Sequence, residues 1–208
     1  MFQGNEGLSE PLYTIPDAIH SLSPDAKIIF IMRDPVKRLF SRWLTWIPYL
    51  RNVDPDYAKP SAESFHRKSA AAIDLYQKCF RQYGVRQCAY DGFLYGKARM
   101  RLQESIYSVY IRDWLKAFPR EQILFLKFED YVKDFPKSLN VIFQFLGLRK
   151  LSTEELLKIS KDEVKNKGRN YDKVPTMSNK TKLMLQKFYS PFVAELRNML
   201  GDNFYWGY

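Results

Sequence analysis

Ile28-Ile29-Phe30-Ile31-Met32-Arg33-Asp34-Pro35-Val36-Lys37-Arg38-Leu39-Phe40-Ser41 is the stretch from which the rest of the chain can be read. Five apolar residues in succession predict a short strand buried on both faces, the pattern of a parallel sheet. Asp34 is a natural helix N-cap and Pro35 a natural first helical residue. From there Val36, Phe40, Trp43, Leu44 and Ile47 recur at the spacing of one apolar helix face. Ser41 falls on the other side, one turn beyond Lys37 and Arg38. A strand thus delivers Arg33 to a helix start, and ligands of open α/β sheets sit at the carboxyl ends of strands. Arg33 by its fork, the helix start by its backbone donors and Ser41 by its hydroxyl are the parts of a phosphate site.

The remaining periodicities extend this plan. Residues 11–23 predict a short helix and turn, and 51–60, with Pro55 and Pro60, a loop. Ser61 opens a long helical pattern through Arg81. Leu102, Ile106, Val109, Tyr110, Trp114 and Ala117 follow at helical spacing up to Pro119. Gln122 to Lys127 reads as a second strand, running into Phe128-Glu129-Asp130-Tyr131. Residues 136–146 form a helix with Leu139, Ile142, Phe143 and Leu146 inward and Gly147 as its C-cap. Thr153 starts another helix, 161–175 is a loop, and 179–200 is a last helix with Leu183, Phe188, Phe192, Leu196 and Leu200 inward. Helices outnumber short, separated strands, so the expected fold is α/β, a small parallel sheet flanked by many helices.

The 208 residues are expected to form one domain with a proper core, since 46% are apolar and 16% aromatic. Lys plus Arg number 33 against 23 acidic residues, a net charge of +10 that favours an anionic partner. The charges are scattered rather than clustered in a tail. There is no helix-turn-helix, zinc-finger or RNP-type pattern, so no nucleic acid partner is expected. No apolar stretch reaches the about 18 residues of a membrane span, and the N-terminus is not a signal peptide. The two cysteines, Cys79 and Cys88, are too few for a structural zinc site, and no metal is expected. They flank a turn at Gly84, and both a bridge and a pair of buried thiols fit that spacing. A second basic cluster, Asn166-Lys167-Gly168-Arg169-Asn170-Tyr171, sets a flexible glycine between two cations, beside an aromatic hydroxyl.

The pattern R-D-P-x-x-R-x-x-S over Arg33 to Ser41 resembles the 3′-phosphate-binding segment of sulfotransferases that use 3′-phosphoadenosine 5′-phosphosulfate. The Lys167, Gly168, Arg169 and Tyr171 turn resembles the late loop that closes over the nucleotide in glycosaminoglycan sulfotransferases. Asn170 stands where that loop is often basic. Further matches are the Cys79/Cys88 spacing, Ala89-Tyr90 to Leu115, Ile123 to Gly147 with Phe128-Glu129-Asp130, and Phe188-Tyr189-Ser190-Pro191-Phe192. They cover nearly the whole chain, in order.

This resemblance implies the P-loop-like sulfotransferase fold, with Arg33, Ser41, Lys167, Gly168, Arg169 and Tyr171 holding the nucleotide co-substrate. It implies sulfate transfer to the 6-hydroxyl of 4-sulfated N-acetylgalactosamine in chondroitin or dermatan sulfate, so the partner is a sulfated glycosaminoglycan. The implied setting is the Golgi lumen, in a type II membrane protein whose anchor lies outside this chain. An oxidising lumen favours a Cys79–Cys88 disulfide, and Asn179-Lys180-Thr181 is a sequon for glycosylation of Asn179. The family's first strand, its phosphosulfate loop and a catalytic base are expected upstream of this segment. His20 and His66 sit in no recognised motif. The chain alone is therefore expected to hold nucleotide without transferring sulfate. The alternative is a truncated, non-catalytic binder of nucleotide or sulfated glycan.

Overall fold

The computed structural model describes residues 10–161 and 176–208. In chain order the elements are α1 (Ile15–Leu22), β1 (Ile28–Met32), α2 (Pro35–Leu50), α3 (Pro55–Ala58), α4 (Ala62–Tyr83), α5 (Val85–Tyr90), α6 (Gly92–Ala98), α7 (Tyr107–Ala117), β2 (Ile123–Lys127), α8 (Phe128–Lys133), α9 (Phe135–Leu146), α10 (Thr153–Lys161) and α11 (Asn179–Leu200). The two strands pair in parallel, from Ile28 opposite Ile123 to Met32 opposite Lys127. Parallel neighbours require a long crossover, and the helices from α2 to α7 supply it.

Local signals set most boundaries. The Asp34 carboxylate accepts from Val36 N at 2.8 Å and Lys37 N at 3.2 Å, closing the start of α2. Ser61 and Ser64 form a reciprocal capping box on α4. Gly147 ends α9 at φ 75°, in the left-handed region where a glycine meets no Cβ penalty.

Packing overrides local signals elsewhere. Residues 54–58 are not a plain loop: the Asp54 side chain caps α3 through Asp56 N. Leu102 and Ile106 precede α7 rather than belonging to it. Both are fully buried in a tight turn, so their helix-like spacing arises from burial alone. α2 runs through Pro48 to Leu50 and α11 through Pro191, each without the backbone bond that a proline cannot donate. Leu183 is exposed, while Leu185, Phe188, Tyr189, Phe192, Val193 and Leu196 face inward. The inward residues proposed for α9 are only half-buried, and Leu146 is exposed, because the helix lies at the margin of the sheet.

The core has two parts. The larger is helical, around Leu39, Trp43, Phe65, Tyr76, Leu185 and Tyr189. The smaller joins one face of the sheet (Met32, Ile123, Phe125) to Ile111, Phe118 and Leu196. Phe30 stacks on Phe125 at 5.5 Å and meets Trp114 edge-on at 5.2 Å. The other face is not sealed over β1. Ile31 is 46% exposed, so the expectation of a strand buried on both faces fails there among the described residues. The indole of Trp206 packs against both parts of the core.

Cys79 and Cys88 are bridged, with their Cα atoms 5.9 Å apart. The bridge spans nine residues of sequence and pins α5 to the end of α4. Closing so short a loop restricts the unfolded chain by about 2–3 kcal/mol. Cys79→Ser with Cys88→Ser should lower the unfolding free energy by that amount in urea titration. Non-reducing mass spectrometry of the oxidised protein should find the two thiols joined.

Candidate functional site

Arg33 leaves the carboxyl end of β1 and Asp34 turns the chain into α2. The Arg33 guanidinium lies 5.1 Å from the centroid of Phe128, at the carboxyl end of β2, and has no carboxylate partner among the described residues. Its carbonyl accepts from the Tyr107 hydroxyl at 3.0 Å. An aromatic plate and a backbone anchor therefore orient an arginine whose donors stay available to an anion. Ser41 is half-buried on α2 and its hydroxyl has no partner among the described residues. It lies about 9 Å along the helix axis from Pro35.

One part of the sequence reading is corrected here. The start of α2 does not offer backbone donors to a phosphate. Val36 N and Lys37 N are taken by the Asp34 carboxylate, and Arg38 N by the Asp34 carbonyl at 2.8 Å. A carboxylate at that point also repels an anion. On the described residues, the expectation of a phosphate site at this junction therefore rests on the side chains of Arg33 and Ser41 alone. Arg38 is not among them, since it is held by Glu104 at 2.5 Å and Ser105 at 3.1 Å. Lys167, Gly168, Arg169 and Tyr171 lie outside the described residues.

The sequence reading missed the C-terminal strap. Tyr208 donates its hydroxyl to Asp34 Oδ1 at 3.1 Å. Trp206 donates its indole N–H to Glu129 Oε2 at 3.2 Å, while Glu129 Oε1 accepts Asp34 N at 3.0 Å. Lys127 lies over the Trp206 ring at 5.3 Å and donates to Tyr205 O at 3.3 Å. Four elements thus meet at the strand ends, which the aromatic run Tyr205-Trp206-Gly207-Tyr208 hinted at without a target. Burial, then the Asp34 charge and hydrogen bond, keeps the Tyr208 phenol protonated well above its ordinary range.

Three candidate proton acceptors have structural roles. Glu129 uses both oxygens as described. The His66 ring nitrogen Nδ1 meets Thr181 Oγ1 at 3.0 Å, joining α4 to α11. His20 packs edge-on against Phe118 at 5.0 Å. Asn179 is exposed at the start of α11, and Thr181 is fully buried and bonded to Ser178, so the sequon's threonine has a packing role of its own. Among the described residues there is no cluster of three or more metal-ligating side chains, and no helix is long and apolar enough to cross a membrane.

The class so defined is an α/β protein whose parallel sheet carries at its carboxyl edge an arginine without a carboxylate partner among the described residues, followed by a helix with a serine hydroxyl that likewise has none there. Comparison with known proteins gives that class a family. Residues 10–193 match the sulfotransferase domain, and the chain belongs to that family. It is 34% identical to carbohydrate sulfotransferase 15 of Mus musculus over 202 residues, 97% of this chain and 34% of that protein. It is 25% identical to mouse heparan sulfate glucosamine 3-O-sulfotransferase 3B1 over 92% of this chain and 46% of the relative. The chain thus spans between a third and a half of the length of these relatives. Among solved structures, a sulfotransferase from Alicyclobacillus acidocaldarius shares the fold, with a TM-score of 0.54 and 20% identity over 89% of this chain and 58% of that one.

Two outcomes follow from this geometry. Asp34→Ala deprives two backbone N–H groups and the Tyr208 hydroxyl of their acceptor, and should cost about 2–4 kcal/mol in denaturant unfolding, with Asp34→Asn retaining most of the stability. Burial pushes Tyr107 and Tyr57 up to about 12 from an ordinary 10.0. A raised folded pKa gives stability that is whole below pH 10 and is lost as pH rises through 12. The urea midpoint should therefore fall across that interval, and less steeply in Tyr107→Phe.

Proposed function

We propose that this protein is a glycosaminoglycan sulfotransferase in which Arg33 and Ser41 hold the 3′-phosphate of 3′-phosphoadenosine 5′-phosphosulfate. The observation that carries the reading is the Arg33 guanidinium, oriented by Phe128 and free of any carboxylate among the described residues. Ser41 supplies the hydroxyl, and the sequence alone assigns Lys167, Gly168, Arg169 and Tyr171 to the same nucleotide. The acceptor is the 6-hydroxyl of 4-sulfated N-acetylgalactosamine in chondroitin or dermatan sulfate. Similarity to carbohydrate sulfotransferase 15 and the net charge of +10, which attracts a polyanion, support it.

In the reaction class, the acceptor oxygen bonds to sulfur, the bond between sulfur and the bridging phosphate oxygen breaks, and a base takes the hydroxyl proton. Arg33 and Ser41 contribute binding and orientation rather than bond making. The 208 residues are read as part of one catalytic domain working in the Golgi lumen, where the Cys79–Cys88 bridge is stable. A second reading, a non-catalytic binder of nucleotide or sulfated glycan, is favoured by one observation: Glu129, His20 and His66 are all engaged structurally.

Titration calorimetry with adenosine 3′,5′-bisphosphate tests the nucleotide site. Arg33→Ala should weaken binding by about 1.5–3 kcal/mol, the worth of hydrogen bonds to a charged group, or roughly 10- to 150-fold. An unchanged affinity overturns the assignment.

A further inference from the structure

Six buried side-chain nitrogens and oxygens among the described residues lack a hydrogen-bond partner, and three of them fall within five residues of α2. They are Arg42 Nε, Trp43 Nε1 and Trp46 Nε1, all donors. Unpaired buried donors are uncommon, and a cluster of them requires an explanation. All three residues line one cleft of about 280 Å³, between α2, α3 and α6. Its floor is apolar and aromatic, and its wall holds arginines in a stacked ladder. Arg42 lies 5.0 Å from the Trp46 ring, and Arg101 lies 4.9 Å from Trp46 and 4.2 Å from Tyr95. Glu104 reaches Arg42 at 3.9 Å and Arg101 at 3.4 Å from behind. Arg99, two-thirds exposed and held at φ 51°, adds a third guanidinium at the rim. The one carboxylate in the lining, Asp54, is paired with Lys68 at 2.7 Å and reaches Arg99 more loosely at 3.8 Å, so the three arginines of the lining outnumber it. The cleft is therefore positive, with preoriented forks over an apolar floor.

We propose that this cleft binds one sulfated sugar unit of the glycosaminoglycan chain. Guanidinium forks match the planar pairs of oxygens on a sulfate, and the apolar floor suits the C–H face of a pyranose ring. The cleft is at the small end of ligand pockets, which suits one unit of a longer chain. Arg42 follows Ser41 on α2 by about 100° of helical rotation, so one helix carries the nucleotide hydroxyl and the wall of the sugar subsite on adjacent sides. The proposal rests on the glycosaminoglycan reading for the class of its ligand and adds to it the place where the acceptor chain is gripped.

Gly96 offers a test that leaves every charge in place. It lines the cleft, and a Cβ built there meets no atom within 4 Å. Gly96→Phe therefore starts its side chain from open space at the cleft lining and adds bulk there with no clash at Cβ. The full chain would be titrated calorimetrically with a chondroitin 4-sulfate hexasaccharide, with its desulfated counterpart and with adenosine 3′,5′-bisphosphate, at near-physiological salt. The sulfated hexasaccharide should bind at least about tenfold more tightly than the desulfated one. Gly96→Phe should remove that preference, and Arg99→Gln should weaken it several-fold. Both variants should bind the nucleotide like the unchanged protein.

Unaltered hexasaccharide affinity in Gly96→Phe and Arg99→Gln overturns the proposal. So does an equal loss in Lys133→Gln with Lys150→Gln, which do not line the cleft, because binding would then be diffuse electrostatics. Loss of nucleotide affinity in Gly96→Phe overturns it as well, since the cleft would then hold the donor. Should Gly96→Phe fail to fold, Arg99→Gln, an exposed change, decides alone. Indifference of nucleotide binding to Arg33→Ala, with the hexasaccharide results intact, would instead sink the nucleotide assignment and leave the cleft standing.

Discussion

The Asp34 carboxylate organises this structure. It caps α2 through two backbone donors and accepts the hydroxyl of Tyr208 from the far end of the chain. Its own N–H is held by Glu129, which also holds Trp206. One strand end, two helix starts and the C-terminal strap therefore share a buried polar network. Such networks contribute rigidity only when every member is satisfied, and here each carboxylate oxygen named has a donor. The consequence for binding is specific. Because the helix start is neutralised from within, the proposed anion site at this edge relies on side chains, above all Arg33.

The charge of the chain is distributed on the same principle. Several arginines are structural: Arg38 on Glu104 and Ser105, Arg86 between Glu10 and Asp113, Arg67 on Asp56. Arg33 and the Arg42–Arg101 ladder differ in resting against aromatic rings, with weak carboxylate contact or none among the described residues. An aromatic plate fixes a guanidinium without neutralising it, so its charge remains available to a ligand. The division is not absolute: Arg86 lies 5.3 Å from the Tyr90 ring as well as on its carboxylates, and Arg99 at the cleft reaches Asp54 at 3.8 Å.

Much of the architecture was legible in the chain because local rules carried it. The two strands are continuous apolar runs, and α4, α9 and α11 begin or end at Ser61, Gly147 and Ser178, whose chemistry permits little else. The errors share a cause. Leu102 and Ile106 looked helical because burial spaced them so, Leu183 looked buried because it is leucine, and Ile31 looked covered because its neighbours are apolar. Periodicity reports which residues prefer to leave water, not which surface meets them.

By itself, the sequence determined the strand–helix junction that presents Arg33 and Ser41, the parallel pairing implied by two apolar strands and a long helical connection, and a cysteine spacing that permits a bridge. These depend on neighbours within a few residues, where backbone sterics and capping are decisive. Tertiary structure alone decided that the α2 donors are taken by Asp34, that Tyr208 and Trp206 bond to Asp34 and Glu129 at the strand ends, and that Arg42, Arg99 and Arg101 line one cleft. Each of these joins residues far apart in the chain or depends on how helices pack side by side. No local pattern encodes such contacts, because they exist only once the apolar faces have found each other.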